Sequence, residues 1–163
     1  MKKYSKDDQV ALAAWSLDCA ERVLPLFQRV SPTDERPLRA LDVGRAWVQT
    51  GLFEMAVIRS ASLGAHAAAK SVLATPAACC AAHAAGQAVA TAHVTQHAYG
   101  GAYYALKALV AVDPASASHR VAQEWGWQAQ QLPVHLRESI MSRLQVEQRR
   151  SGLWISIQKG PGF

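Results

Sequence analysis

The sequence is poor in charge and in cysteine, and it has no long run of bulky apolar residues. Charged residues make up 18% of the 163 positions, and the cysteines are Cys19 and the adjacent pair Cys79 and Cys80. An odd count without CxxC spacing argues against a disulfide framework or a zinc ribbon and favours a reducing compartment. No stretch combines the length and apolarity of a membrane span, so no membrane association is expected.

The N-terminal region also lacks the pattern of a secretory signal. Asp7 and Asp8 precede its apolar positions, and Asp18, Glu21 and Arg22 interrupt them. This arrangement is typical of an amphipathic helix and not of a cleaved leader. We therefore expect a cytoplasmic protein.

What the sequence has in excess is alanine, which makes up roughly a fifth of the chain, well above average usage. Alanine has the best helix propensity and lets helix backbones approach closely. Apolar residues recur every three or four positions, and Pro37, Pro76 and Pro133 suit the first turns of helices. The pattern predicts an all-α fold, a compact single-domain bundle of about six to seven helices. The predicted helices span about residues 7–30, 37–51, 52–73, 76–112 with a break, 115–131 and 133–150.

Charge is missing most of all from the middle of the chain. Between Arg59 and Asp113, only Lys70 and Lys107 are ionised at neutral pH. A helix that is apolar nearly all round is a buried helix. The sequence therefore predicts a buried hairpin, rich in alanine and histidine, at the centre of the bundle.

The stretch from residue 76 to 112 has no internal proline but is too long for one helix. At 1.5 Å per residue it would extend more than about 50 Å, beyond the size of a compact domain of this length. A break is therefore predicted near Gly86 or between Val94 and Gln96.

The domain is expected to span residues 1–152, with a C-terminal tail at 153–163. The tail begins "LWISI", in which apolar and other residues alternate as in an extended segment. We expect it to dock through Trp154 and to fray beyond Lys159.

The segment "TAHVTQHAYGGAYYA" (91–105) places two histidines four residues apart. If the segment is helical, His93 and His97 share one face with Gly101 and Tyr104, because positions i and i+4 lie above one another. Two histidines so spaced suit a metal ion, a catalytic site or a polar contact between helices.

All three interpretations remain open. A metal site would take a further ligand from His66, His83, Asp18 or Cys79, although the glutamate of an HExxH motif is missing. A catalytic site would use one histidine as a general base, oriented by a carboxylate such as Asp18. A buried polar network would hold a crowded helix crossing, since two glycines in a helix cost about 2 kcal/mol against alanine unless close backbone approach compensates.

Further polar residues offer a second possible ligand site. Asp18 and Arg22 lie four apart on the first predicted helix. Together with Arg45 they suit a small pocket for an anionic ligand. The alternative is a solvated pair on an outer face.

Six segments of the chain, taken in order, carry the motifs of one bacterial family. They are "DCAERVLPLF" (18–27), "DERPLRAL" (34–41), "RAW" (45–47), "GAHAAA" (64–69), "AGQAVATAHVTQHAYGGAYYALKAL" (85–109) and "EWGWQAQQLPVHLRES" (124–139). Over about residues 10–145 the chain thus resembles the Imm-five-like immunity proteins. A departure is "VTQ" (94–96), where a helix-breaking proline or glycine is expected in relatives. The polar residues at the matching positions, which with Tyr104 form the candidate buried polar cluster or ligand pocket, are Asp18, Arg22, Arg36, Arg45, His66, His93 and His97.

The resemblance implies an all-helical protein that neutralises a cognate toxin of a polymorphic toxin system by stoichiometric binding. It implies no catalysis and no cofactor. Exposed aromatic and arginine side chains are the expected contacts, and the candidates are Trp125, Trp127, Arg149, Arg150 and Trp154. The formal charge of +5 suits an acidic partner, whereas no nucleic-acid-binding motif is present and nucleic acid is not expected as a partner. The alternative is a metal- or small-ligand-binding helical protein or enzyme that uses the histidine cluster, with His66, His93 and His97 as candidate ligands.

Overall fold

The computed structural model describes residues 4–160 and residue 163. The ends of the expected domain and tail at 1–3 and 161–162 therefore lie outside the described residues. Within that range the chain forms seven α-helices and one β-hairpin, which confirms the predicted all-α bundle. The helices are α1 (Lys6–Val30), α2 (Arg36–Thr50), α3 (Met55–Ser71), α4 (Pro76–Ala90), α5 (His97–Val112), α6 (Ala117–Gln131) and α7 (Val134–Met141), with a 3₁₀ turn at Pro114–Ser116. No described helix is long and apolar enough to cross a membrane.

The core surrounds the predicted central hairpin, which consists of α4 and α5. Helix α4 packs against α1, α2, α3 and α5, and α5 packs in addition against α6 and the C-terminal hairpin. Alanines such as Ala81, Ala85 and Ala102 are completely buried in these contacts. Their small side chains allow several helices to surround α4 at close range, and the predicted buried Ala/His-rich hairpin is confirmed.

The predicted break in the long central stretch is the turn at residues 91–96. Of the two expected positions, the one between Val94 and Gln96 is confirmed, while Gly86 lies inside α4. The N–H groups of His93 and Val94 both donate to the carbonyl oxygen of Ala90. The helix thus unwinds through successive tight turns, which require neither proline nor glycine.

Local sequence sets the other helix ends. The Ser5 hydroxyl accepts a hydrogen bond from the Asp8 N–H and the Asp8 carboxylate accepts from the Ser5 N–H, a capping box that begins α1. Gly51 ends α2 at a φ of +69°, a left-handed conformation that favours glycine. Helix α3 starts at Met55, three residues later than predicted, which leaves residues 51–54 as an exposed loop.

The prediction of a last helix reaching residue 150 is wrong. Helix α7 ends at Met141, and strands β1 (Leu144–Arg149) and β2 (Gly152–Ile157) form an antiparallel hairpin. Their side chains alternate with a period of two, the strand pattern, and the facing pairs Leu144–Ile157 and Val146–Ile155 bring apolar residues together. The expected tail therefore begins inside β2 and is paired along most of its described length.

The hairpin docks through a different residue from the one predicted. Ile155 is 6% exposed, whereas the neighbouring Trp154 is 49% exposed and carries the Arg149 guanidinium 4.5 Å from its ring centre. Successive strand residues face opposite sides, so burying Ile155 turns Trp154 outward. The expected docking of Trp154 is wrong.

Glycine residues on α5 make room for polar side chains of neighbouring helices. A Cβ at Gly101 would overlap the Ser16 hydroxyl, which is fully buried and donates to the Ala98 carbonyl oxygen at 3.1 Å. Gly101 therefore lets α1 reach the backbone of α5. This is the close approach expected for the two adjacent glycines of the sequence.

We predict that Gly101→Ala destabilises the fold by about 2 kcal/mol or more, because the added methyl group displaces Ser16 and separates α1 from α5. The matched control is Gly126→Ala on α6, where a Cβ meets no atom within 4 Å. That change should stabilise by about 0.5–1 kcal/mol through helix propensity. Urea denaturation of both variants measures the difference, and equal stabilities would contradict the packing described.

Candidate functional site

Two histidines form the centre of the polar contacts between α3 and α4. The Nδ1 atoms of His66 and His83 lie 2.7 Å apart, so one ring donates its Nδ1–H and the other accepts. The His66 ring also packs against Gly86, where a Cβ would lie 2.9 Å from ring atoms. The pair is thus a hydrogen-bonded link between two helices, seated against a glycine.

The pair continues as a row of rings onto α5. The His83 and Tyr104 rings are centred 5.0 Å apart, and Tyr103 meets Tyr104 edge to face at the same separation. Lys107 lies 5.3 Å from the centre of the Tyr103 ring. We call His66, His83, Tyr104 and Tyr103 the ring row; it crosses three helices.

The imidazoles of the ring row are neutral at physiological pH. The pKa of His66 is lowered to about 4. The main cause is burial, and electrostatic interactions with His83, His97 and Lys70 contribute less. The pKa of His83 is lowered as well, mainly by burial and to a smaller extent by the positive charges of Lys70 and Lys107. The pair therefore acts through hydrogen bonding and packing and offers no charge to an anionic ligand.

His97 makes a similar contact at the start of α5. Its Nδ1–H donates to Gln87 Oε1 at 2.7 Å, and Gln87 in turn packs against Gly100. The pKa of His97 is lowered, mainly by burial and to a smaller extent by electrostatic interaction with His93. The ring is thus neutral, with Nδ1 occupied and Nε2 as its unprotonated nitrogen.

His93 does not share a helical face with His97, so that prediction is wrong. His93 lies in the turn between α4 and α5 and is exposed. The i,i+4 relation requires a continuous helix, and the turn at 91–96 removes it. The two rings do line one surface cleft beside α3.

The structure distributes the remaining members of the predicted cluster over four ion pairs made by three arginines. Arg45 contacts Asp18 and Glu21 at 2.5 and 2.8 Å, Arg22 contacts Glu124 at 2.9 Å, and Arg36 contacts Asp34 at 2.6 Å. Among the described residues, none of these arginines bonds to a histidine. The polar residues expected in one cluster therefore lie in several separate places.

The sequence analysis did not identify two residues that form these polar contacts, Glu124 and Gln87. Glu124 is buried and accepts from Arg22, which stacks over Trp127 at 4.0 Å. Gln87 is the partner of His97. The sequence did contain a signal for Gln87. It is an isolated amide in an alanine-rich helix expected to be buried, and a buried amide needs a hydrogen-bond partner.

The described residues contain no group of three histidine, cysteine, aspartate or glutamate side chains placed to hold a metal ion. His66 and His83 bond directly to each other, and His97 bonds to Gln87. The described structure therefore does not bring His66, His93 and His97 together as ligands of one metal ion.

The expected partner-contact residues fall into two groups. Trp125 is half-buried and its Nε1–H donates to the Leu144 carbonyl oxygen, and Trp127 is half-buried under Arg22. By contrast Arg149, Arg150 and Trp154 are exposed on the hairpin. The first group packs the fold, and the second is available to a partner.

The family comparison agrees with the fold and with the sequence resemblance. The model of a family described as "Imm-5 like putative immunity protein" matches residues 2–135, which include α1 to α6. The chain belongs to this family of immunity proteins. No curated protein and no solved structure gives a significant match.

We predict that the stability of the fold falls as the pH is lowered from about 6.5 towards 4. Unfolded histidine takes up its proton near pH 6.5, whereas folded His66 does so only near 4. Between these values the unfolded chain binds more protons, so acid favours unfolding. Urea denaturation at several pH values measures this slope.

The variant His66→Gln should flatten the slope whatever its stability at neutral pH. The control His119→Asn removes an exposed histidine and should keep the wild-type slope. If His66→Gln retained the full acid sensitivity, the neutral buried state of His66 would be contradicted.

Proposed function

We propose that this protein neutralises a cognate bacterial toxin in the cytoplasm by stoichiometric binding, without catalysis, as the immunity component of a polymorphic toxin system. Membership in the immunity protein family carries the proposal. Such a protein acts by occupying a surface of its partner, with a total buried area on the order of 1,600 Å².

The polar interior supports binding in preference to catalysis. The Nδ1 atoms of His66 and His83 are directed at each other, and Nδ1 of His97 is directed at Gln87. Burial raises the pKa of the Cys79 and Cys80 thiols, which disfavours the reactive thiolate. These groups serve the contacts between helices, and a scaffold fixed in this way loses little conformational freedom when it binds.

The exposed hairpin supplies the first candidate contacts. Trp154 and Arg149 stack on each other, and Arg150 is exposed beside them in the turn. Aromatic and arginine side chains contribute most to protein interfaces. Trp125, which donates to the Leu144 carbonyl oxygen of the hairpin, is proposed only as packing that supports this surface, and Trp127, under Arg22, as packing between α6 and α1.

The experiment is a titration of the cognate toxin, with toxin activity as the readout. We expect inhibition to rise linearly and to end at a fixed molar ratio near one to one, with a complex of that stoichiometry on size-exclusion chromatography. Protection at far lower ratios would instead indicate turnover.

A matched comparison uses the variants His66→Gln and His83→Gln, at the two residues that bond to each other between α3 and α4. Once shown to be folded, both should still inhibit at the wild-type ratio, because the proposal gives imidazoles no chemical step. Folded variants that bind the toxin but fail to inhibit it would contradict the proposal.

A further inference from the structure

A set of large apolar side chains is exposed where α2 passes into α3. Leu52 is 75% exposed and Leu63 is 58% exposed, and Phe53, Met55 and Val57 are each close to half exposed. Single exposed apolar residues are normal, but a group of five on one loop and the helix that follows it marks an interaction surface.

Three surface clefts that share lining residues connect four of these side chains, all except Phe53, with the C-terminal hairpin. A cleft of about 520 Å³ lies between α5 and β2 and includes Trp154 and His97. A second, of about 330 Å³, shares His97 and extends to Leu63. A third, of about 270 Å³, shares Ile58 with the second and ends at Leu52. We call this surface, from Trp154 through His97 and Ile58 to Leu52, the cleft strip.

The charge of the cleft strip has one sign over most of its length. The sequence has no aspartate or glutamate from residue 55 to 112. The lining includes Arg59 and Lys159, and Glu54, at one end, is the only acidic side chain among the described lining residues. The strip is therefore apolar with basic groups, on a chain of formal charge +5.

We propose that the cleft strip is the docking surface for the toxin and that the toxin presents to it an apolar area bordered by carboxylates. This inference rests on the proposed function and adds the surface and the chemistry of the partner. The apolar side chains would supply the buried contact, while Arg59 and Lys159 would pair with the partner's acidic groups.

Other occupants fit the strip less well. A second copy of the chain would place Arg59 and Lys159 against an equally basic surface, and like charges in contact are unfavourable. Nucleic acid is held by several phosphate contacts, whereas the described lining of the strip has two permanent cations and is mostly apolar. An acidic protein surface matches both of its properties.

The floor of the strip is fixed by buried contacts. His97 lies where the first two clefts meet, and its ring donates to Gln87, which itself packs against Gly100. Ile58, where the second and third clefts meet, is 3% exposed. A surface held this way is preorganised, so binding orders few side chains.

The first test compares two leucine variants for binding to the toxin by calorimetry. Leu63→Asp places a charge inside the strip and should weaken binding at least about tenfold. Leu73→Asp is the matched control, since Leu73 is also highly exposed but lines none of the three clefts. Equal affinities for the two variants would overturn the proposed surface.

The second test reverses a charge. Arg59→Glu should also weaken binding at least about tenfold and reduce its salt dependence, because it removes a contact with an acidic group. Arg29→Glu, at the exposed end of α1, should leave affinity within about threefold of wild type. Tighter binding by Arg59→Glu, or displacement of the toxin by an unrelated DNA or RNA oligonucleotide, would overturn the proposed partner chemistry.

Hydrogen exchange on the wild-type complex locates the interface without a variant that has to fold. Protection of the amides at residues 51–64 on toxin binding is expected. A stable complex with protection only outside the cleft strip would refute the strip and leave the proposed function standing. If the wild-type protein failed to bind the toxin at all, the proposed function would fail, and the strip with it.

Discussion

The structure depends on how closely α4 can approach the helices that surround it. An alanine side chain buries little apolar area, so contact between such helices provides less hydrophobic stabilisation per residue than a leucine-rich core. The short distance between backbones lets polar side chains cross from one helix to the next. Ser16, His66 and Gln87 do so, each packed where a glycine leaves room. The glycines therefore belong to the hydrogen-bond network as much as the polar residues do.

The same constraint divides the molecule into a neutral interior and a charged exterior. The imidazoles of His66 and His83 remain uncharged because burial penalises the protonated form. Arg36 and Arg45 form their ion pairs at the surface, where such pairs add little stability, whereas Arg22 pairs with the buried Glu124. Because the histidines of the interior are uncharged and bonded to one another or to other side chains, we expect the groups that recognise a partner to lie on the outer surface. There we propose the basic and apolar cleft strip as the surface that meets the partner.

Much of the fold could be predicted from the sequence, and the site only in part. The uncharged segment from Arg59 to Asp113 identified the central hairpin, because a helix without a polar face has to be buried. The turn at 91–96 and the hairpin after α7 were harder, since tertiary packing overrides weak local preferences. The shared face of His93 and His97 depended on that turn and was lost with it. The pairing of His66 with His83 joins two helices, and no single-helix pattern contains it.

The claim that neutral imidazoles link the central helices can be tested directly by nuclear magnetic resonance. Long-range ¹H–¹⁵N correlation spectra of protein with ¹⁵N-labelled histidine report the protonation of each ring nitrogen. At neutral pH we expect both His66 and His83 to be uncharged, with one protonated at Nδ1 and the other not. A charged ring, or two rings both lacking a proton on Nδ1, would contradict the hydrogen bond between them and the account of the fold built on it.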